Sequence, residues 1–98
     1  MRILAIERPA DGLPDKPSTA DLRDEAARAW ELQQAGSLRE IYMTDEHSRA
    51  VILLECASAA EAHALLETLP LVERGFITFD VMELGPYPGF ARLFAGRC

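Results

Sequence analysis

The sequence predicts an α+β domain in which two helices cover one face of a four-stranded antiparallel sheet. Its 98 residues suffice for a single domain, because domains usually contain about 100–150 residues. Apolar residues make up 49% of the chain and charged residues 27%, as in ordinary globular proteins. Runs with strand-like and helix-like periodicity follow one another in the order strand, helix, strand, strand, helix, strand.

The first predicted elements are a short strand and a long helix. Residues 2–7 form an apolar run that ends before a proline, which indicates a strand. Residues 11–17 are dense in glycine, proline and aspartate and predict a surface loop. A helix follows, because Ser18 or Thr19 suits its N-cap and Gly36 suits the position just after its end.

One side of this helix carries both an apolar stripe and a carboxylate. Glu25 falls inside the stripe rather than opposite it when residues are placed 100° apart. We therefore expect the Glu25 carboxylate on the side of the helix that faces the core. The other members of the stripe are Leu22, Ala26, Ala29, Trp30, Leu32 and Gln33.

The second half of the chain predicts a hairpin, a second helix and a fourth strand. A polar loop over residues 44–48 joins two strand-like runs, which should pair antiparallel. Ser58 and Glu61 have the spacing of a capping box, which marks the start of the helix. The predicted elements are strands over residues 38–43, 49–56 and 76–84 and a helix over about residues 59–69.

The order βαββαβ is that of a ferredoxin-like domain, in which the helices leave one face of the sheet uncovered. That face carries apolar residues from several strands, and Phe90, Leu93 and Phe94 form an apolar tail that we expect to dock on another surface. Two sheets packed face to face, as in a dimeric α+β barrel, would cover it. We therefore expect residues 1–98 to form one domain that pairs into a homodimer.

Composition excludes several classes of function. A net charge of −6 and a pI near 4.8 are the opposite of the basic surface that nucleic acids select. No apolar run approaches the 18 residues of a membrane span, and the first residues do not form a signal peptide, so we expect a cytoplasmic protein. Cys56 and Cys98 do not make a disulfide framework, and no cysteine or histidine pair has zinc-ligand spacing. No structural metal is expected.

The general nucleotide-binding and hydrolase motifs are absent, but a family resemblance is present. Residues 29–39, with the sequence AWELQQAGSLR, are followed by His63 in the second helix and by Leu69-Pro70-Leu71 at its end. These segments resemble the muconolactone isomerases, and the resemblance covers about residues 1–88. It implies the ferredoxin-like protomer, the dimeric barrel and a larger ring, together with a reaction that needs no cofactor.

The reaction implied by the resemblance moves a proton within an unsaturated γ-lactone that carries a carboxylate. Such a reaction needs a base near the C–H bond, a donor to the enolate oxygen and a cation for the carboxylate. The resemblance places Glu25 and His63 as candidate bases and Arg39 as the carboxylate-binding cation, with Asp80 at an acidic position of the family. Trp30 and Tyr42 are further candidate substrate contacts or, alternatively, anchors of the core or of an interface.

Departures from the family pattern predict a changed substrate. Glu40, Tyr42 and Met43 stand where the muconolactone isomerases have a histidine, a tryptophan and an arginine. Residues 72–75 replace an aromatic-proline segment with a slightly longer one. We therefore expect a small anionic metabolite other than muconolactone itself.

Each charged candidate also has an ordinary structural alternative. Glu25 could extend from the edge of the stripe to water or pair with Arg8 or Arg28, and His63 could be a solvated or hydrogen-bonded helix residue. Arg39 could form a salt bridge with Glu55 or with Asp80.

Three functions therefore stay open from the sequence. The first is a cofactor-independent isomerase or related lyase that acts on a small carboxylated or lactone substrate. The second is a cofactor-free oxygenase on the same barrel plan. Such an enzyme would need an aromatic pocket, which a chain with only 7% aromatic residues does not favour. The third is a non-catalytic module for small-molecule binding or assembly.

Overall fold

The computed structural model describes residues 1–10, 16–44 and 48–94. The predicted loop over residues 11–17 and the hairpin loop over residues 44–48 lie partly outside these ranges, and Cys98 lies wholly outside them. The described elements are β1 (Arg2–Pro9), α1 (Thr19–Gln34), β2 (Leu38–Met43), β3 (Ala50–Glu55), α2 (Ala59–Leu66), α3 (Pro70–Glu73), β4 (Ile77–Leu84) and a 3-10 helix (Pro88–Leu93).

The four strands form one antiparallel sheet in the order β2-β3-β1-β4, which confirms the predicted α+β class. Alternate residues of each strand face the helices, because successive side chains of a strand point to opposite faces. The core between sheet and helices is fully apolar in the described residues. Its members include Ile3, Ala5, Leu38, Ile52, Leu54 and Phe79 from the sheet and Leu32, Ala62, Leu66 and Leu69 from the helical layer.

The two long helices begin at side-chain caps. Ser18 and Asp21 form a capping box at the start of α1, as expected from Ser18. Ser58 Oγ accepts from the backbone N–H of Glu61 at the start of α2. The second bond of the predicted capping box is not formed. The Glu61 carboxylate accepts from the N–H of Ala57 rather than from that of the N-cap residue, Ser58.

The second helix is shorter than predicted. It ends at Leu66, and a separate turn of helix, α3, begins at Pro70. Proline suits the first position of a helix but interrupts one that is already running. The segment over residues 59–69 is therefore divided into a helix and a connection, and α3 lies beside α1.

A β-bulge at Arg39 sets which side chains of β2 face the helices. Leu38 pairs with Leu54 on the helix-covered face, whereas Glu40 pairs with Leu53 on the opposite face. Tyr42 follows Glu40 on that opposite face, where its hydroxyl donates to the Glu40 carboxylate at 2.6 Å. This hydrogen bond raises the pKa of Tyr42.

The face of the sheet without helices, called here the open face, carries a continuous apolar patch. The register pairs Leu4 with both Leu53 and Met82 across the three neighbouring strands. Met82 is 42% exposed, and no described helix covers this face. The other apolar members of the open face are Ile6, Tyr42, Val51 and Leu84.

Two parts of the predicted apolar surface are exposed in the single chain. Trp30 and Leu22 belong to the predicted stripe of α1, yet Trp30 is 61% exposed and Leu22 is also exposed, because α1 leans on the sheet mainly through Leu32. The tail residues Phe90 and Phe94 are likewise exposed rather than docked on the domain.

Among the described residues, no helix has the length and apolarity needed to cross a membrane.

Candidate functional site

Glu25 projects from the middle of α1 toward the start of α3. Its Oε1 atom accepts a hydrogen bond from the backbone N–H of Leu71 at 2.9 Å. This N–H has no partner within the helix, because Leu71 lies in its first turn. The bond fixes the carboxylate at the junction of the two helices, and the second oxygen forms no hydrogen bond with the described residues.

Burial makes Glu25 a stronger base than an ordinary glutamate. Partial burial raises the pKa of the Glu25 carboxyl above its usual 4.5, and the negative charge of Glu7 raises it further. The bond from Leu71 and the charge of Arg74 act in the opposite direction without cancelling the rise. A carboxylate with a raised pKa suits proton abstraction near neutral pH.

Glu7 is the second carboxylate of the site and was not among the residues predicted from the sequence. Its Oε1 atom accepts from the backbone N–H of Ala50 at 3.0 Å. Glu7 faces the helices, because it follows Ile3 and Ala5 at intervals of two along β1. This alternation could have been used to predict that the Glu7 carboxylate lies on the face of the sheet that packs against α1.

The two carboxylates line a cleft between one end of the sheet and α1. The cleft has an outer chamber of about 720 Å³ and a more enclosed inner chamber of about 230 Å³. Glu25, Ala26 and Ala29 line the inner chamber, and the side chains around both chambers are mostly apolar. The chambers are adjacent, since both are lined by Glu7, Leu22, Met43 and Leu71.

Arg49 lies in the wall of the outer chamber, immediately before β3. Its backbone is fixed on both sides by Thr44, which donates its N–H to the Arg49 carbonyl at 2.9 Å and accepts the Arg49 N–H through Oγ1 at 3.0 Å. Arg49 Nε is shielded from solvent and has no hydrogen-bond partner among the described residues. Arg49 was not among the residues predicted from the sequence, because nothing near it in sequence indicates that this strand end meets the cleft.

The other predicted site residues lie outside this cleft in the single chain. Arg39 is exposed at the bulge, and His63 is exposed on α2. Trp30 projects from α1 to solvent. Tyr42 and Asp80 lie on the open face. Their roles in catalysis or substrate binding stay predictions.

The pairing alternatives proposed for the charged residues are wrong. Arg8 binds Asp80 at 2.7 Å, so Asp80 has a partner other than Arg39. Glu55 pairs with the N-terminal ammonium group and with Arg2 rather than with Arg39. Glu25 binds the Leu71 N–H rather than an arginine, and Arg28 instead donates to Thr68 at 3.0 Å.

The raised pKa of Glu25 predicts a stability cost at neutral pH. A carboxyl with a higher pKa in the folded state favours folding only while it is protonated, so this contribution is lost as the pH rises through the folded-state pKa. Glu25→Gln keeps an acceptor for Leu71 but carries no charge. We expect the variant to have a higher Tm than the parent protein at pH 7 and an equal Tm well below pH 4.5. Thermal unfolding followed by circular dichroism at both pH values measures this difference, and an equal Tm at pH 7 would contradict it.

Comparison with known proteins gives two kinds of match. A family model described as muconolactone delta-isomerase matches residues 4–89. The crystal structure of muconolactone isomerase superposes with a TM-score of 0.69 and 23% sequence identity over 90% of this chain and 92% of that chain. A 5-chloro-2-hydroxyhydroquinone dehydrochlorinase from Burkholderia phenoliruptrix AC1100, in complex with 2,5-dihydroxybenzoquinone, superposes with a TM-score of 0.57 and 16% identity over 89% and 97% of the two chains. At these identities the structural matches show a shared fold. No curated protein sequence matches this chain at a significant level.

Proposed function

Because the chain belongs to the muconolactone delta-isomerase family, we propose that it is a small enzyme that shifts a proton within a carboxylated lactone or a related metabolite. The observation that carries the proposal is the placement of Glu25, a half-buried carboxylate with a raised pKa in the wall of an apolar cleft. This placement supports Glu25 as the base that such a reaction requires.

The proposed step uses Glu25 to take a proton from the carbon next to the lactone carbonyl. The electron pair of the broken C–H bond moves into the ring and leaves an enolate, with the negative charge on the carbonyl oxygen. Glu25 then returns a proton to a different carbon of the conjugated system, which moves the double bond and restores the carboxylate. No electron is gained or lost overall, so the step requires no redox cofactor.

The composition of the cleft supports a substrate other than muconolactone. Met43 lines both chambers at a position where the muconolactone isomerases have an arginine. Glu7 adds a second negative charge beside Glu25. Phe76 is the one aromatic residue among the described residues that line the cleft, so a cofactor-free oxygenase for polycyclic aromatic substrates is less well supported.

The test of this proposal is proton exchange on a simple lactone acid. In heavy water, the protein should accelerate replacement of hydrogen by deuterium at the carbon next to the carbonyl of γ-butyrolactone-γ-carboxylate. Proton NMR measures the loss of that signal with and without protein at neutral pD. Exchange no faster than in buffer, for this compound and for its unsaturated analogues, would favour a binding module over an isomerase.

We also propose that a second copy of the chain covers the open face. Apolar residues of all four strands meet there, and a domain of this size gains stability by burying such a patch. Pairing would bring Tyr42 and Asp80 of both copies into the interface. The exposed tail around Phe90 offers a further apolar surface for the same association.

A further inference from the structure

We infer that Arg49, rather than Arg39, binds the carboxylate of the ligand and that the cleft selects an anion with a single negative charge. This inference rests on the proposed function, because it specifies the substrate class of the same cleft. It is carried by the position of Arg49, the partners of the other arginines and the two carboxylates of the cleft.

Arg49 lies in the wall of the cleft, and its side chain has no hydrogen-bond or ion-pair partner among the described residues. Its Nε is shielded from solvent without a hydrogen-bond partner, and buried donors in native proteins are nearly always paired. The two bonds to Thr44 hold the Arg49 backbone in place. Because Nε itself is closed to solvent, a ligand carboxylate in the outer chamber would be bound by the terminal nitrogens of the guanidinium group. The backbone of Arg49 is already fixed, which lowers the entropy lost on binding.

Arg49 has no competing cation among the described residues that line the cleft. Two other arginines form ion pairs outside the cleft. Arg8 pairs with Asp80, and Arg74 pairs with both Asp21 and Asp24. Among the described residues that line either chamber, Arg49 is the one positively charged side chain.

The charges of the cleft restrict the anion to one negative charge. A guanidinium group matches a carboxylate with two parallel hydrogen bonds, which favours a planar monoanion. Glu7 lines both chambers and Glu25 lines the inner one, so a second negative charge on the ligand would meet repulsion from both. A dicarboxylate or a phosphate monoester should therefore bind more weakly than a monocarboxylate.

The same arrangement orients the ligand. Arg49 lies in the outer chamber and Glu25 in the inner chamber, so the two groups are separated along the cleft. A carboxylate held by Arg49 leaves the apolar body of the ligand to enter toward Ala26 and Ala29, beside the base. The acidic end of the substrate thus points outward and the reacting carbon points inward.

Calorimetric titration with γ-butyrolactone-γ-carboxylate and with its methyl ester tests this assignment. We expect Arg49→Gln to weaken binding of the carboxylate about 10- to 100-fold, the range for loss of a charge-assisted hydrogen bond, and to leave binding of the ester within about twofold. Arg49→Lys keeps the charge but loses the paired geometry, so an intermediate loss is expected. Arg23→Gln is the matched control, because Arg23 is exposed on α1 and does not line the cleft.

The outcomes separate this inference from the proposed function. Unchanged carboxylate affinity in both Arg49 variants, or a comparable loss in Arg39→Gln alone, would overturn the assignment of Arg49 even if the parent protein catalyses exchange. Conversely, Arg49-dependent binding without any exchange would support the carboxylate site while contradicting the isomerase. Tighter binding of the dicarboxylate succinate than of the lactone acid would overturn the preference for a single negative charge.

Discussion

Replacing Glu25 with glutamine should slow exchange of the lactone acid by about 10²- to 10⁴-fold, the usual contribution of general-base catalysis. Glutamine has nearly the size of glutamate and can still accept the hydrogen bond from Leu71, which holds the side chain at the junction of α1 and α3. Its amide cannot take up the proton. The loss should therefore appear in the rate of exchange while the fold and ligand affinity are retained.

Glu31→Gln is the matched control for this experiment. Glu31 lies on the same helix and is exposed, with an ion pair to Arg28 at 3.6 Å, so its loss should leave exchange unchanged. Undiminished exchange in Glu25→Gln would remove Glu25 from the mechanism. The other predicted base, His63, would then be tested by His63→Gln in the same assay.

Leu53→Asp should convert an associated protein into a monomer. Leu53 lies on the open face opposite Leu4, so aspartate there would place a charge in the middle of the proposed interface. Size exclusion with light scattering should show a dimer or a multiple of a dimer for the parent protein and a monomer for the variant. Circular dichroism should confirm that the variant keeps its secondary structure, since Leu53 does not belong to the core beneath the helices.

The control for added charge is Ala60→Asp, an exposed position in the first turn of α2, where a carboxylate suits the helix N-terminus. This variant should associate like the parent protein. A parent protein that remains a stable monomer at micromolar concentration would contradict both the interface and the barrel assembly.

Local patterns predicted the fold well. The cap at Ser18 marked where α1 begins, and the strand-like runs predicted the four strands of the sheet. The position of Glu25 on the apolar stripe of α1 could also be predicted, because helical periodicity depends only on residues nearby in sequence. These features required no knowledge of how distant segments meet.

The rest of the site depends on contacts between distant segments. Glu7 and Ala50 are 43 residues apart, and Glu25 and Leu71 are 46 residues apart. Periodicity within one strand or helix does not show which strand end meets which loop, so Arg49 was not identified. The resemblance instead favoured Arg39, which the bulge in β2 leaves outside the cleft.

Amide NMR titration of the ¹⁵N-labelled protein with γ-butyrolactone-γ-carboxylate tests the central claim, that the ligand occupies the cleft between the sheet and α1. The Leu71 and Ala50 amides are direct reporters, because they donate to Glu25 and Glu7 respectively. The account predicts that these two signals shift most and saturate with one affinity, while Leu4 and Leu53 on the open face respond little. The largest shifts at Leu4 and Leu53, or no shift at Leu71 and Ala50 at millimolar ligand, would contradict it.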